Sequence, residues 1–88
     1  MKVEFLAKFL KDIDKLKVAH VKESIVNTIE LLETVESLAE IPNLKKLKGH
    51  KSAFRIKIGD YRIGIFIEGE TVEMARVVHR KDIYKVFP

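Results

Sequence analysis

Cysteine is absent from the 88-residue chain, which excludes disulfides, thiolate zinc sites and thiol nucleophiles and suits a reducing compartment. No uninterrupted apolar run approaches the roughly 20 residues of a membrane-spanning helix. The opening MKVEFLAKFL carries Glu4 and a lysine within its apolar run and has no small-residue cleavage site. It is a poor signal peptide, and the expectation is a cytoplasmic protein with no membrane partner. The histidines His20, His50 and His79 are scattered without ligand spacing, so no metal and no cofactor is signalled. Linkers, repeats and low-complexity segments are missing as well.

A 47% hydrophobic content over 88 residues fits one domain, residues 1–88, with a modest core. The net charge of +4 is unevenly spread. From Ala19 to Ile41 the one basic residue, Lys22, stands against Glu23, Glu30, Glu33, Glu36 and Glu40. From Lys45 to Arg62 there are seven basic residues, and only Asp60 opposes them. Near the C-terminus Arg76, Arg80, Lys81 and Lys85 face Asp82 alone. Such a split points to a polyanion partner for the later segment; a solvated basic surface is the plainer alternative.

Hydrophobic periodicity places the elements. KVEFL alternates as a short strand over residues 2–6, and Phe9, Leu10, Ile13 and Leu16 continue as a helical stripe over about 7–17. Val21, Ile25, Ile29, Leu32, Val35 and Leu38 recur at helical spacing, predicting a second helix over about 19–40 that ends before Pro42. Neither helix buries its stripe alone, so a helical hairpin is expected. IPNLKKLKGHK reads as a loop, with Leu44 and Leu47 as anchors and Lys45, Lys46, Lys48, His50 and Lys51 left for water or a ligand. KSAFRIKIGDYRIGIFI then reads as two strands about a turn at Gly59-Asp60. Phe54, Ile56 and Ile58 share one face, and Arg55 and Lys57 the other; Tyr61, Ile63, Ile65 and Ile67 alternate with Arg62, Gly64 and Phe66. A third strand near residues 71–78 follows Gly69, and HRKDIYKVFP ends in a turn of helix. The fold expected is α+β: a short N-terminal strand and an α-helical hairpin packed on a small, mainly antiparallel sheet with a three-stranded C-terminal meander.

Two stretches, IGDYRIGI at 58–65 and HRKDIY at 79–84, follow a helical hairpin and a PNLKKLKGH loop. In this order the chain resembles the RelE/ParE superfamily of toxins from toxin–antitoxin modules, and its RelE branch in particular. The resemblance covers nearly the whole chain. It implies a messenger-RNA endoribonuclease that acts on messages in the ribosomal decoding site, touching ribosomal RNA, and a cognate antitoxin encoded nearby. The antitoxin would cover or distort the cationic face, often through a helix lying in an apolar groove. By the same resemblance the site residues are Arg55 and Lys57 as a basic pair, Arg62 on the next strand, Arg80 after the last strand and Tyr84 in the C-terminal turn. His79 stands where the best-known member has lysine, and Arg55 where it has lysine.

RNA carries its own nucleophile, the 2′-hydroxyl beside each phosphate. A protein helps by taking the 2′ proton, neutralising the phosphorane and stabilising the leaving 5′ oxygen. Arg55 and Arg62 suit the middle task because a planar guanidinium binds phosphate oxygens bidentately. Arg80 is shared between phosphate and leaving group. The base is Lys57, whose cationic neighbours favour a neutral amine, or His79, the residue type that changes charge near neutrality. Tyr84 offers a ring for base stacking. Lys45, Lys46, Lys48, His50, Lys51 and Lys81 are candidate RNA-backbone contacts. Two other functions compete: a ParE-like inhibitor of DNA gyrase, and a non-catalytic RNA- or ribosome-binding module of the same fold.

Overall fold

Gly59, at φ +54°, occupies the first position of a two-residue turn that a side-chain-bearing residue enters with strain. That turn joins β3 (Ala53–Ile58) to β4 (Tyr61–Glu68), and a second short turn joins β4 to β5 (Thr71–His79) in this computed structural model, which describes residues 1–88. Connections this short force antiparallel pairing. β1 (Lys2–Phe5) returns parallel to β5, and β2 (Leu44–Lys46) adds antiparallel to β3. The five-stranded order is therefore β1-β5-β4-β3-β2.

Alternation on these strands builds two apolar layers. Ile56, Ile63, Ile65, Val72, Met74 and Val77 meet Phe9 and Leu16 on one side with Val21, Ile25 and Leu32. The first pair comes from α1 (Ala7–Lys15) and its end, the second group from α2 (Ala19–Thr34). Ile63 and Ile65 are fully buried, each contributing about 1.5–3 kcal/mol of apolar transfer. On the opposite face a smaller cluster joins Ala53 and Ala75 to Ile83 and Phe87, from and just beyond α3 (Ile83–Val86). The α+β architecture expected from the sequence is thus present, with helices α1 and α2 on one face and the C-terminal segment on the other.

Three local features differ from expectation. Helix α2 stops at Thr34 instead of near Glu40. Ser37 Oγ accepts from Ala39 N–H at 3.2 Å, and Glu40 Oε2 accepts from Ser37 N–H at 3.1 Å, closing a capping box around a short 3₁₀ turn. A Ser-x-x-Glu pattern starts a helical turn and so breaks the preceding one; Val35 and Ile41 stay buried from outside the helix. Second, Leu44–Lys46 is a strand and not loop, because Asn43 at φ +64° turns the chain onto the open edge of β3. The three-stranded meander thereby gains a fourth strand. Third, Gly64 pairs with Arg76 but Ile65 with Met74, leaving Ala75 as a bulge. The extra residue reverses the alternation, so Val77 rejoins Met74 in the helix-side core while Ala75 faces α3.

The bulge also sets the place of Arg76, opposite Gly64. β1 pairs with β5 only as far as Met74. Beyond it Asp12 of α1 takes over, accepting from Val77 N–H at 3.0 Å and from Arg76 Nε and Nη2 at 2.7 and 3.0 Å. The hydrogen bond from Arg76 to Asp12 raises the guanidinium above its ordinary value; burial works against it and the Asp12 charge adds to the rise.

Candidate active site

Strand register puts Lys57 directly opposite Arg62, and Lys45 directly opposite Arg55. All four stand on the face away from α1 and α2, since their neighbours Phe54, Ile56, Ile63 and Ile65 pack into the helix-side core. Like charges directly opposed across strands destabilise a sheet. Two such pairs side by side, with no carboxylate bridged to any of the four, form a surface that an anion would relieve.

Each cation is held differently. Arg62 Nη1 donates to the carbonyls of Gly59 and Tyr61 at 2.8 and 2.9 Å, leaving its Nε–Nη2 edge free for a phosphate. Arg55 Nη1 reaches the Asn43 carbonyl at 3.5 Å, and its Nε is buried with no partner. The same Asn43 carbonyl accepts from Lys57 N–H at 3.3 Å, while the Lys57 side chain is exposed. Arg80 donates its N–H to the Asp60 carbonyl at 2.7 Å, and its Nε lies 3.7 Å from the Asp60 carboxylate.

Tyr84 is anchored from below. Ile83 and Phe87 on its two sides are buried against the sheet, which leaves the Tyr84 ring 65% exposed on the same face as the cations. Phe87 lies over Gly64 and 5.0 Å from Phe66 between ring centroids. The segment thus covers the middle of the face and leaves Lys57, Arg62 and Arg80 at its rim.

His79 is not brought into this group. It pairs with Tyr61, whose side chain packs into the helix-side core, and the two rings meet edge to face at 5.6 Å. Its Nδ1 accepts from Lys81 N–H at 3.2 Å, which in the neutral ring puts the proton on Nε2. Lys46, Lys48, His50 and Lys51 line an open hollow of about 540 Å³ with Leu47 and Gly49, beyond the far end of β3. Lys45 leaves that group and joins the Arg55 pair through β2; Lys81 is exposed in the turn before α3.

Two contributors escaped sequence reading. Asn43 offers one carbonyl to both residues of the basic pair, signalled only by its place after Pro42. Asp60 contacts Arg80, although as the lone acid between Lys45 and Arg62 it was visible as an exception. No three His, Asp or Glu side chains gather as a metal would need.

A mixed sheet with a helical pair on one face and a cationic rim beside a C-terminal helix defines the class. The chain belongs to the RelE/ParE superfamily of type II toxin–antitoxin toxins: the family described as "ParE toxin of type II toxin-antitoxin system, parDE" matches residues 3–84. It is 40% identical to Toxin RelE3 of Methanocaldococcus jannaschii over 89 residues, covering 100% of both chains. Among solved structures it is similar to the toxin of the RelB-RelE antitoxin-toxin complex from Methanococcus jannaschii, with a TM-score of 0.82 and 39% identity over 97% of this chain and 99% of that one. The fold alone is shared with the archaeal RelE-RelB complex from Pyrococcus horikoshii OT3, at TM-score 0.73 and 19% identity over 93% and 97% of the two chains.

Proposed function

We propose that this toxin is a metal-independent, ribosome-dependent messenger-RNA endoribonuclease of the cytoplasm, with residues 1–88 acting as one domain. The observation that carries the reading is the double like-charge register, Lys57 against Arg62 and Lys45 against Arg55, on an open face. Such a face is relieved by a polyanion.

In this scheme the scissile phosphate sits between Arg62 and Arg55. The free Nε–Nη2 edge of Arg62 takes two phosphate oxygens, and its anchored Nη1 keeps that edge from turning away. The 2′ oxygen attacks phosphorus, its proton passes to the Lys57 amine, and the P–O5′ bond breaks to leave a 2′,3′-cyclic phosphate. Arg80 stabilises the departing 5′ oxygen, which takes a proton from water. Tyr84 stacks on a neighbouring base. Lys57 is favoured over His79 as the base because His79 leans on Tyr61 on the other side of the sheet and commits Nδ1 to Lys81. The loop from Lys46 to Lys51, with Lys48 and His50, grips ribosomal or messenger RNA backbone, and Lys81 does so beside the C-terminal turn.

An antitoxin partner fits a second surface. Phe5, Phe9, Leu10, Ile13, Ile25, Val26 and Ile29 line an apolar groove between α1 and α2 whose one charged wall residue is Lys22. The occupant assigned to it is an amphipathic antitoxin helix with an acidic residue against Lys22.

The test is inducible expression with and without the adjacent antitoxin gene, read by primer extension on translated messages. Cuts within codons that vanish in Arg62→Ala support the nuclease. DNA damage without message cleavage would make the protein a gyrase inhibitor instead.

A further inference from the structure

Three consecutive carbonyls, the two of the turn between β3 and β4 and that of Tyr61 at the start of β4, each accept from an arginine of the candidate site. Gly59 and Tyr61 carbonyls take Arg62 Nη1, and the Asp60 carbonyl takes the Arg80 backbone N–H at 2.7 Å. The Asp60 carboxylate then lies 3.7 Å from Arg80 Nε. Arg62 leaves the turn along β4, whereas Arg80 arrives at it from the end of β5, so the turn joins two cations from different strands. We propose that Asp60 is a positioning residue for the nuclease reading given above. Its backbone fixes where Arg80 starts, and its carboxylate aims the guanidinium toward the phosphate held by Arg62.

The physical reason is a division of labour between backbone and side chain. The short backbone hydrogen bond fixes the Arg80 main chain whatever residue stands at 60. It leaves the long Arg80 side chain its rotamers, and that side chain is 57% exposed. A carboxylate at 3.7 Å is too far for a strong hydrogen bond but near enough to bias those rotamers. Because Asp60 is 73% exposed, it adds little to stability, so replacing it leaves the fold intact. Its charge is also the one departure from an otherwise basic segment between Lys45 and Arg62. Asp is a favoured residue of such a tight turn, and here its carboxylate faces Arg80 as well.

The experiment compares wild type, Asp60→Asn, Asp60→Glu, Arg80→Ala and the double variant Asp60→Asn/Arg80→Ala. Single-turnover cleavage on programmed ribosomes is measured together with ¹⁵N relaxation of the Arg80 Nε–H in the free protein. Asp60→Asn is expected to lower the cleavage rate roughly threefold to fivefold, the scale of an exposed ion pair, with KM and melting temperature unchanged. Asp60→Glu recovers most of it, and Asp60→Asn has no effect when Arg80 is already alanine. The Arg80 Nε–H is ordered in wild type and mobile in Asp60→Asn. Cleavage by Asp60→Asn at the wild-type rate, or an equal loss in the Arg80→Ala background, overturns the proposal. If wild type itself does not cleave, the nuclease reading fails, and the relaxation measurement alone decides whether Asp60 orders Arg80.

Discussion

The ring of Phe87 rests directly on Gly64: a Cβ at position 64 would come within 2.6 Å of its Cγ and Cδ2. Glycine is required there by the approach of a ring and not by a backbone angle. Gly64→Ala is therefore expected to push Phe87 and α3 off the sheet, with a loss of about 1–3 kcal/mol, the usual scale of overpacking. Phe87→Ala opens a cavity at a cost of about 3 kcal/mol. The double variant should cost less than the sum of the two, since alanine at 64 then meets no ring. Chemical denaturation of the four proteins checks this, and strict additivity would refute the contact.

Asp12 satisfies Arg76 and the Val77 N–H at once and is 8% exposed by side chain. Removing it by Asp12→Ala leaves a mostly buried cation and an open β5 edge group. We expect a loss of about 2–3 kcal/mol, somewhat below the usual cost of breaking a fully buried pair because Arg76 keeps 19% exposure. The raised Arg76 value fixes the sign of its pH dependence. Its contribution is fully present below the ordinary arginine range and is lost only as pH climbs through the raised value. Urea midpoints of Arg76→Met should accordingly differ from wild type by a constant amount between neutral and moderately alkaline pH.

Lys57 and Arg62 repel one another across β3 and β4 in the free protein. Lys57→Gln is expected to stabilise the free fold by a few tenths of a kcal/mol, within the range of cross-strand pairs. It should at the same time weaken RNA binding and reduce the salt slope by about one charge. Thermal melts and a salt titration of RNA affinity test both signs. A variant that is destabilised and binds RNA unchanged would show that the face is ordinary solvated surface.

Leu10 and Val26 are each 51% exposed on the walls of the groove between α1 and α2. The double variant Leu10→Asp/Val26→Asp should fold and cleave as wild type while losing at least about tenfold in antitoxin affinity, as truncating an interface centre does. Calorimetry against the purified antitoxin, with cleavage as the control, decides it.

Much of the fold could be read in the chain because its signals were local. Period-2 alternation around Gly59 set β3 and β4, and the 3.6-residue stripe through Val21, Ile25 and Leu32 set α2. What escaped reading depended on partners distant in sequence. β2 exists because β3 offers an open edge, and Leu44–Lys46 alone is too short and too basic to announce a strand. The end of α2 was legible in Ser37 and Glu40, but the apolar stripe through Val35 and Leu38 masked it. For the candidate site, spacing grouped Arg55, Lys57 and Arg62, and register keeps them together. His79 was grouped with them by the resemblance, which sets it where the best-known member has lysine, and by its residue type. As the last residue of β5 it pairs with Tyr61, and its ring is found with that of Tyr61 on the helix side. Asp60 looked like turn material because nothing local links it to Arg80, twenty residues on.

Ala75 is a phase slip in an otherwise regular strand. Upstream of it the even positions Val72 and Met74 enter the larger core; downstream the odd position Val77 does. Were Ala75 paired with Gly64 instead of bulged, Arg76 would fall opposite Ile63 among the core isoleucines and Val77 would turn out to water. The slip at Ala75, more than the identity of any one residue of β5, therefore decides where this strand's positive charge goes. A residue gained or lost elsewhere along β5 should be far more damaging than the loss of Ala75 itself, which leaves Arg76 opposite Gly64 and Val77 opposite Ile63.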